Sequence, residues 1–515
     1  MRLDELVPEA LGDLAPEEAT TLGALTIHAV HQDSRRVMAD DLFFAIRGLT
    51  VDGHAFATRA ATAGAVAVIG SDVLPDNLPI PYLRVEDPVK LLGLAASRLH
   101  HSPCASLRAT GITGTNGKTT TAYLLEGMLA AAGHTCGLVG TVAYRYGDRS
   151  VPAPFTTPTP VELQTLLGEM VMAGCDHLVM EVSSHGLSLG RVWGCDYDVA
   201  AFTHLTQDHL DLHGSMDAYL DAKRLLFSRH LLPGGVAVVN VDGQGADAIL
   251  ATLQARGDIR VLGCSRRDAA NADLRLGDLT SDLHGLKATV RVDDEEATLR
   301  SPLLGTYNAD NLLLAIGCAH ALGVDLETAC AAAPELPGVP GRLERVDGGR
   351  DFAVLVDYAH TPDALARALE VLRPVCPGRL LCVFGSGGDR DRSKRPLMGR
   401  AVAKGADIAL VTSDNPRHED PLAIIDAILP GMEELAGPRL DIVTPTTTRG
   451  YWVDADRHHA IEVAINALVP GDILLIAGKG HEDYQILGDK RIHFDDREEA
   501  RRALVRRDAL GKHPR

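Results

Sequence analysis

The chain has 515 residues, too many for one hydrophobic core and enough for about three domains. A net charge of −19, with 46% apolar and 23% charged residues, describes a globular protein and argues against nonspecific nucleic-acid binding or an anionic membrane surface. No apolar run reaches membrane-span length. The acidic, amphipathic start also lacks the basic-then-apolar build of a signal peptide, so a cytoplasmic location is expected. The nine cysteines stand singly with no C-x-x-C pair; they read as reduced, buried thiols rather than a zinc site or a disulfide framework.

Residues 1–107 alternate short β-like runs (41–46, 65–69, 82–85) with alanine-rich helical runs (55–63, 90–99), which predicts a small α/β domain. Two polar loops fall at strand ends. One is Gln32-Asp33-Ser34-Arg35-Arg36, and the other runs from Gly48 through Leu49, Thr50 and Val51 to His54. Ligands gather at such places in α/β folds, but ordinary turn chemistry is the simpler account of both.

Residues 108–340 open on Gly111-Ile112-Thr113-Gly114-Thr115-Asn116-Gly117-Lys118-Thr119-Thr120. A strand-like run ending near Thr110 precedes this stretch and a helix-like run to Ala132 follows it. Strand, Gly-rich turn and helix make a phosphate-binding loop: backbone N–H groups turn onto phosphate oxygens, Lys118 reaches the terminal phosphates and the Thr119 hydroxyl meets Mg²⁺. The usual first glycine is replaced by Ile112. Strands at 137–142, 177–182, 199–203 and 235–239, with helices between, predict a doubly wound, mostly parallel sheet. Polar clusters follow its strands. Thr156-Thr157-Pro158 is a rigid hydroxyl-rich loop, and Glu181-Val182-Ser183-Ser184-His185 ends an apolar strand. The loop 203–214 holds three histidines and two aspartates. Glu181 suits Mg²⁺; His209 suits it less, and a structural histidine is the plainer reading. Lys223, on a helix expected over 216–229, reads by itself as a surface lysine.

Residues 341–515 predict a second Rossmann-like unit, with strands at 352–356, 380–384, 408–412 and 473–477 and helices at 362–372, 422–435 and 460–468. Three strand-end loops converge on one crevice: one with Arg390, one with Ser413-Asp414-Asn415-Pro416-Arg417, and one running from Gly478 through Lys479 to Glu482 and Gln485. Two arginines able to pair with carboxylates and a glutamate able to hold an ammonium suit a zwitterion with a second charged end. Salt-bridged surface loops are the alternative.

Over nearly its whole length the chain resembles the Mur ligases, which build the peptide stem of bacterial peptidoglycan. The motifs are T-G-T-N-G-K-T at Thr113–Thr119, E-V-S-S-H-G-L at 181–187 and F-T-x-L-x-x-D-H-L-D-x-H-G at 202–214. G-T-Y-N-A-D-N at 305–311, P-G-R-L-E at 340–344 and V-D-Y-A-H-T-P-D at 356–363 follow in the family's order. The resemblance implies three domains: UDP-binding (1–107), ATP-binding (108–340) and amino-acid-binding (341–515). It implies nucleotide contacts for Gly114, Thr115, Asn116, Gly117, Lys118, Thr119, Thr120, Asn308, Arg342 and Asp357. It makes Lys223 a carbamate that holds a second Mg²⁺ with His209 nearby. Gln32, Ser34, Leu49, Thr50, Val51, Thr156, Thr157, Ser183 and Arg191 match contacts to a UDP-muramoyl-dipeptide, although Leu189 replaces a glutamine of some relatives. D-N-P-R at 414–417 resembles the branch that adds meso-diaminopimelate, with Arg390, Asp414, Asn415, Pro416, Arg417, Gly478 and Glu482 around that amino acid; the lysine-adding branch differs at Arg417. The implied chemistry is ATP-driven amide formation through an acyl phosphate, with Lys118, Glu181, His209 and Lys223 at the reacting end; a monomer is expected, although the sequence itself is silent on oligomeric state.

Overall fold

The computed structural model describes all residues but 13, 49, 50, 74–77, 337 and 512–515, and all side chains but those and 210, 211, 510 and 511. The chain divides into two compact units. One comprises Met1–Arg275, Arg291–Glu295 and Asp310–Ala329; the other comprises Leu276–Val290, Glu296–Ala309 and Cys330–Arg515.

The first unit begins with a four-stranded parallel sheet in the order Val30–His31, Asp41–Ala45, Ala65–Gly70, Tyr82–Arg84. Every residue of Asp41–Ala45 is buried, as expected of a parallel strand covered on both faces. Val30–His31, two residues long, is too short to show in the sequence pattern. The larger sheet runs, in parallel, Arg260–Ser265, Leu231–Asn240, Tyr197–Phe202, Arg108–Thr113, His177–Glu181, Cys136–Val139; Ala143–Tyr146 and Arg149–Pro152 then add antiparallel. The phosphate-loop strand is therefore central. It continues to Thr113, beyond the end expected near Thr110, and Ile112 is fully buried within it. That is why no glycine is needed at position 112: the turn begins later, at Gly114.

The strands Leu274–Asp282, Gly285–Val292 and Glu295–Ser301 were not expected. Their buried and exposed residues alternate, so one face is wet and no continuous apolar run marks them. The helix expected over 216–229 is α-helical at Met216–Leu225 and widens to a π-turn at Leu226–His230.

In the second unit, five strands run parallel in the order Ala353–Asp357, Ile473–Ala477, Leu380–Phe384, Ile408–Val411, Gly450–Val453, and Glu344–Arg345 pairs antiparallel at one edge. The helix expected over 422–435 stops at Asp426 and a 3₁₀ turn follows at Leu429–Gly431; Pro430 lacks the N–H a continuing helix requires. The helix Lys394–Gly405 opens inside a stretch that reads as loop.

Cys104 and Cys195, 91 residues apart, form a disulfide with Cα atoms 5.4 Å apart, contrary to the expectation of nine reduced thiols. Only the fold brings together the turn before the phosphate-loop strand and the turn before Tyr197–Phe202, so no spacing rule announces the pair. The other seven cysteines are free. Among the described residues no helix is long and apolar enough to cross a membrane.

Candidate active site

In the first unit the parallel strands deliver their carboxyl ends to one edge. Gly114 adopts φ 143°, and a Cβ there would stand 1.8 Å from Thr203 Oγ1; that hydroxyl donates to the Asn116 carbonyl at 2.7 Å. The loop is thus held from beneath by the adjacent strand end, at a spacing only glycine allows. Thr115 is buried, its Oγ1 accepting the Thr206 N–H at 3.0 Å and lying 3.2 Å from Tyr219 OH. Gly117 caps the helix Lys118–Ala131, which places its free N–H groups and the positive end of its dipole at the loop. Thr120 lies in that first turn.

Two amines converge on one oxygen. Lys118 Nζ donates to the Gly114 carbonyl at 3.0 Å and to the Thr115 carbonyl at 2.9 Å, while Lys223 Nζ donates to the same Gly114 carbonyl at 2.8 Å. Lys223 is 1% exposed, contrary to its reading as a surface lysine. Its helix buries Tyr219, Ala222 and Lys223 along one stripe, and the ammonium lies 4.2 Å from the Tyr219 ring centre. Burial, with Lys118 adding, pushes the Lys223 pKa down to about 6. Burial pushes Lys118 down too, against the carboxylates of Glu181 and Asp208.

Glu181, fully buried, ends the neighbouring strand. Its Oε2 accepts Thr119 Oγ1 at 2.8 Å and Thr141 Oγ1 at 3.1 Å, and its Oε1 accepts the Thr141 N–H at 2.7 Å. Thr141 also lies 3.1 Å from Thr156 Oγ1. Sequence reasoning missed Thr141 because it fell inside the strand expected over 137–142; that strand ends at Val139, so a Gly-Thr pair at a strand's carboxyl end was the available signal. Thr157 Oγ1 donates to the Glu181 carbonyl and accepts the Ser183 N–H, each at 3.0 Å, and Arg191 donates to the Thr157 carbonyl at 2.9 Å. Thr119, Thr156, Thr157, Glu181, Ser183 and Arg191 therefore form one hydrogen-bonded patch.

The histidines separate. His209 is exposed, at φ 52°, with its Nε2 3.6 Å from Asp208 and its ring 4.7 Å from that of His185. His213 is 3.0 Å from Ser184 Oγ. His204 serves through its backbone, accepting the Thr115 N–H at 2.8 Å.

Near the amino terminus, Gln32, Ser34, Gly48, Val51 and Arg59 line a cavity of about 620 Å³. Leu49 and Thr50 lie outside the described residues.

In the second unit a cavity of about 340 Å³ sits at the carboxyl ends of adjacent strands, lined by Arg390, Asp414, Asn415, Arg417, Gly478 and Glu482 among others. A Cβ on Gly388 would stand 1.9 Å from the Pro416 carbonyl, so the two arginine-bearing loops meet backbone to backbone. The basic cluster sorts itself: Arg392 and Arg395 are spent on Glu419. Arg390 lines the cavity with no ion-pair partner among the described residues, and Arg417 donates to the Gly388 carbonyl at 2.8 Å. Lys479, which the sequence places in one of these loops without a role, is fully buried. Its Nζ is 3.2 Å from Asn415 Oδ1, 3.5 Å from Asp414 Oδ1 and 3.7 Å from Glu482 Oε2. Asn415 Nδ2 donates to Glu482 at 3.0 Å. Asp414 Oδ1 is buried without a hydrogen bond. In the same unit, Asp357 accepts the Leu343 and Ala359 N–H groups at 2.8 Å each; burial raises its pKa, against those two donors. Asn308 is buried and donates to the Leu304 carbonyl at 2.8 Å, and the Arg342 guanidinium lies 5.3 Å from the Tyr358 ring centre.

Three family models cover the chain in order: "Mur ligase family, catalytic domain" over residues 26–98, "Mur ligase middle domain" over 112–319 and "Mur ligase, glutamate ligase domain" over 341–480. A UDP-N-acetylmuramoyl-L-alanyl-D-glutamate–2,6-diaminopimelate ligase of Gloeobacter violaceus is 45% identical over 513 residues, covering 99% of each chain. One of Trichormus variabilis is 43% identical over 518 residues, covering 99% of this chain and all of its own. A solved structure of a ligase with that name superposes at a TM-score of 0.76 with 32% identity, covering all of both chains. A folylpolyglutamate synthase of Mycobacterium tuberculosis, solved with ADP and AMPPCP, shares the fold alone, at a TM-score of 0.55 and 19% identity. The class so defined is that of ATP-dependent ligases that form a peptide bond. The chain belongs to the Mur ligase family.

Proposed function

We propose that the protein adds meso-2,6-diaminopimelate to the D-glutamyl carboxylate of UDP-N-acetylmuramoyl-L-alanyl-D-glutamate, at the expense of ATP, in cytoplasmic synthesis of the peptidoglycan precursor. The observation that carries this reading is the second unit's cavity. It offers two guanidinium groups, Arg390 and Arg417, for two carboxylates, and the Glu482 carboxylate for an ammonium. Lysine lacks the distal carboxylate and would leave an arginine unpaired, a strong ground for rejection. The name borne by relatives above 40% identity agrees.

The residues of the first unit fit Mg²⁺ at one position as they stand: Glu181 and Thr119 supply oxygen donors beside the loop. A second ion needs an anionic ligand that Lys223 does not supply as it stands: as an ammonium it repels a cation, and as a free amine it brings no negative charge. A lysine with a pKa near 6 is a free base at neutral pH, the form that adds CO₂ to give a carbamate. We therefore assign Lys223 as an N6-carboxylysine, with His209 at the same ion. Bound Mg²⁺ would screen the phosphate charge.

The chain's own groups do the rest. Loop N–H groups and Lys118 hold the γ-phosphate while the glutamyl carboxylate attacks its phosphorus in line, the bond to the β-phosphate oxygen breaks and ADP leaves. The free amine of diaminopimelate then attacks the acyl carbon of the acyl phosphate; the C–O bond to phosphate breaks, phosphate leaves, and the nitrogen gives up a proton to leave the amide. Thr156, Thr157, Ser183 and Arg191 orient the dipeptide, while Gln32, Ser34 and Leu49–Val51 hold the uridine diphosphate. Asn308, Arg342 and Asp357 take the nucleotide contacts, and the enzyme works as a monomer of three domains, over residues 1–107, 108–340 and 341–515.

The test is an ADP-release and product assay across an amino-acid panel with the UDP-dipeptide as acceptor. Turnover with meso-diaminopimelate and little with L-lysine is expected; equal turnover with both removes the assignment. Lys118→Ala should cut product formation by about a hundredfold or more, and full activity in that variant would refute the role of the loop.

A further inference from the structure

The first unit carries a second cluster of donors at the other edge of its large sheet. His134 follows the helix that begins at Lys118. His177 opens the strand that Glu181 closes, about 13 Å away at the usual rise per residue. His134 Nδ1 lies 3.0 Å from Asp176 Oδ2, and His177 Nδ1 lies 3.1 Å from Asp176 Oδ1. One donor atom from each of the three residues falls within 4.8 Å of the others, and the two imidazole centres are 4.3 Å apart. Asp176 Oδ1 also accepts the Thr135 N–H at 2.9 Å.

The His177 side chain is only 6% exposed, and among the described residues its buried Nδ1 has no partner besides the Asp176 carboxylate oxygen 3.1 Å away. Buried polar atoms are rarely left in this state, and each one calls for a cause. The Asp52–His54–Asp72 group in the same unit shows the contrast. There His54 Nδ1 is 2.6 Å from Asp52, and Nε2 accepts the N–H groups of Ser71 and Asp72 at 3.2 Å. Both nitrogens are used, so that group offers an ion nothing.

We infer that His134, Asp176 and His177 form a binding site for a divalent transition ion of the zinc class, separate from the phosphate loop. Two imidazoles and one carboxylate select such an ion over Mg²⁺ or Ca²⁺, which favour oxygen. The His134 and Asp176 side chains are 35% and 52% exposed, so further positions are open to water. An ion there ties the end of the helix that starts at Lys118 to the start of the strand that ends at Glu181. The expected effect is on the stability of the scaffold rather than on the reaction.

The test titrates the chelator-treated full chain with Zn²⁺ by calorimetry and with Co²⁺ by visible absorption. One ion per chain, a rise in melting temperature and Co²⁺ ligand-field bands are expected. His134→Ala and Asp176→Asn, both at the surface, should weaken the affinity by about a hundredfold or more while the Mg²⁺-supported ligase rate stays unchanged. No binding by the wild type, or undiminished binding by both variants, overturns the site.

Discussion

Lys479 shows how much one buried cation can organise. It touches no solvent, and its ammonium stands within 3.7 Å of Asn415, Asp414 and Glu482. Two carboxylates facing one cavity would repel each other, and a buried cation between them offsets that repulsion and holds both side chains in place. Removing it should therefore spoil the amino-acid site and nothing else. Lys479→Met is expected to raise KM for the diamino acid by about tenfold or more with KM for ATP unchanged; steady-state kinetics measure both, and a parallel rise in the two would show a general loss of structure instead. Lys223 is the counterpart in the first unit, buried beside another amine rather than between carboxylates. Opposite neighbours give these two lysines opposite tasks, which their residue type alone does not disclose.

At the scale of elements, the helix Met216–Leu225 and its π-turn link the reacting end to the core. The π-turn ends at His230, whose ring is buried 4.8 Å from that of Trp193. Burial, with Arg229 adding, pushes the His230 pKa down to about 4. The unfolded chain holds this proton more tightly, so the contribution is complete above pH 6.5 and is lost as pH falls toward 4. Unfolding midpoints from pH 7 to pH 4 should fall less steeply in His230→Phe than in the wild type; identical slopes would show that this ring does not set the dependence. The loops at 387–390 and 414–417 make a comparable pair. Because Gly388 lets them touch, their arginines face one cavity, and Gly388→Ala should force them apart at a cost of about 1–3 kcal/mol, seen as weaker diamino-acid binding in calorimetry. Unchanged affinity would mean that the loops yield.

For the molecule as a whole, the disulfide Cys104–Cys195 ties the turn before the phosphate-loop strand to the turn before the next strand of the sheet. Closing a loop this long contributes about 4.6 kcal/mol on the chain-entropy account. A disulfide is rare in a reducing compartment, which sets this bond apart from the cytoplasmic location proposed above. Thiol titration of the unfolded protein should find seven free groups without reductant and nine with it, and reduction should lower the melting temperature of the wild type but not of Cys104→Ser. Nine groups without reductant would show that the pair is not bonded.

The phosphate loop, the alternation of strands and helices, and the D-N-P-R stretch at 414–417 were legible because each depends on neighbours in the chain: turn residues, periodicity and spacing are local properties. Family membership was legible for the same reason, as a series of short motifs in order. The burial of Lys223, the role of the buried Lys479, the place of Thr141 beside Glu181, the Cys104–Cys195 pair and the His134–Asp176–His177 cluster were not. Each is a meeting of residues distant in sequence, decided by which strands lie side by side, and a charge or thiol acquires its chemistry from the neighbours and the solvent that packing leaves it.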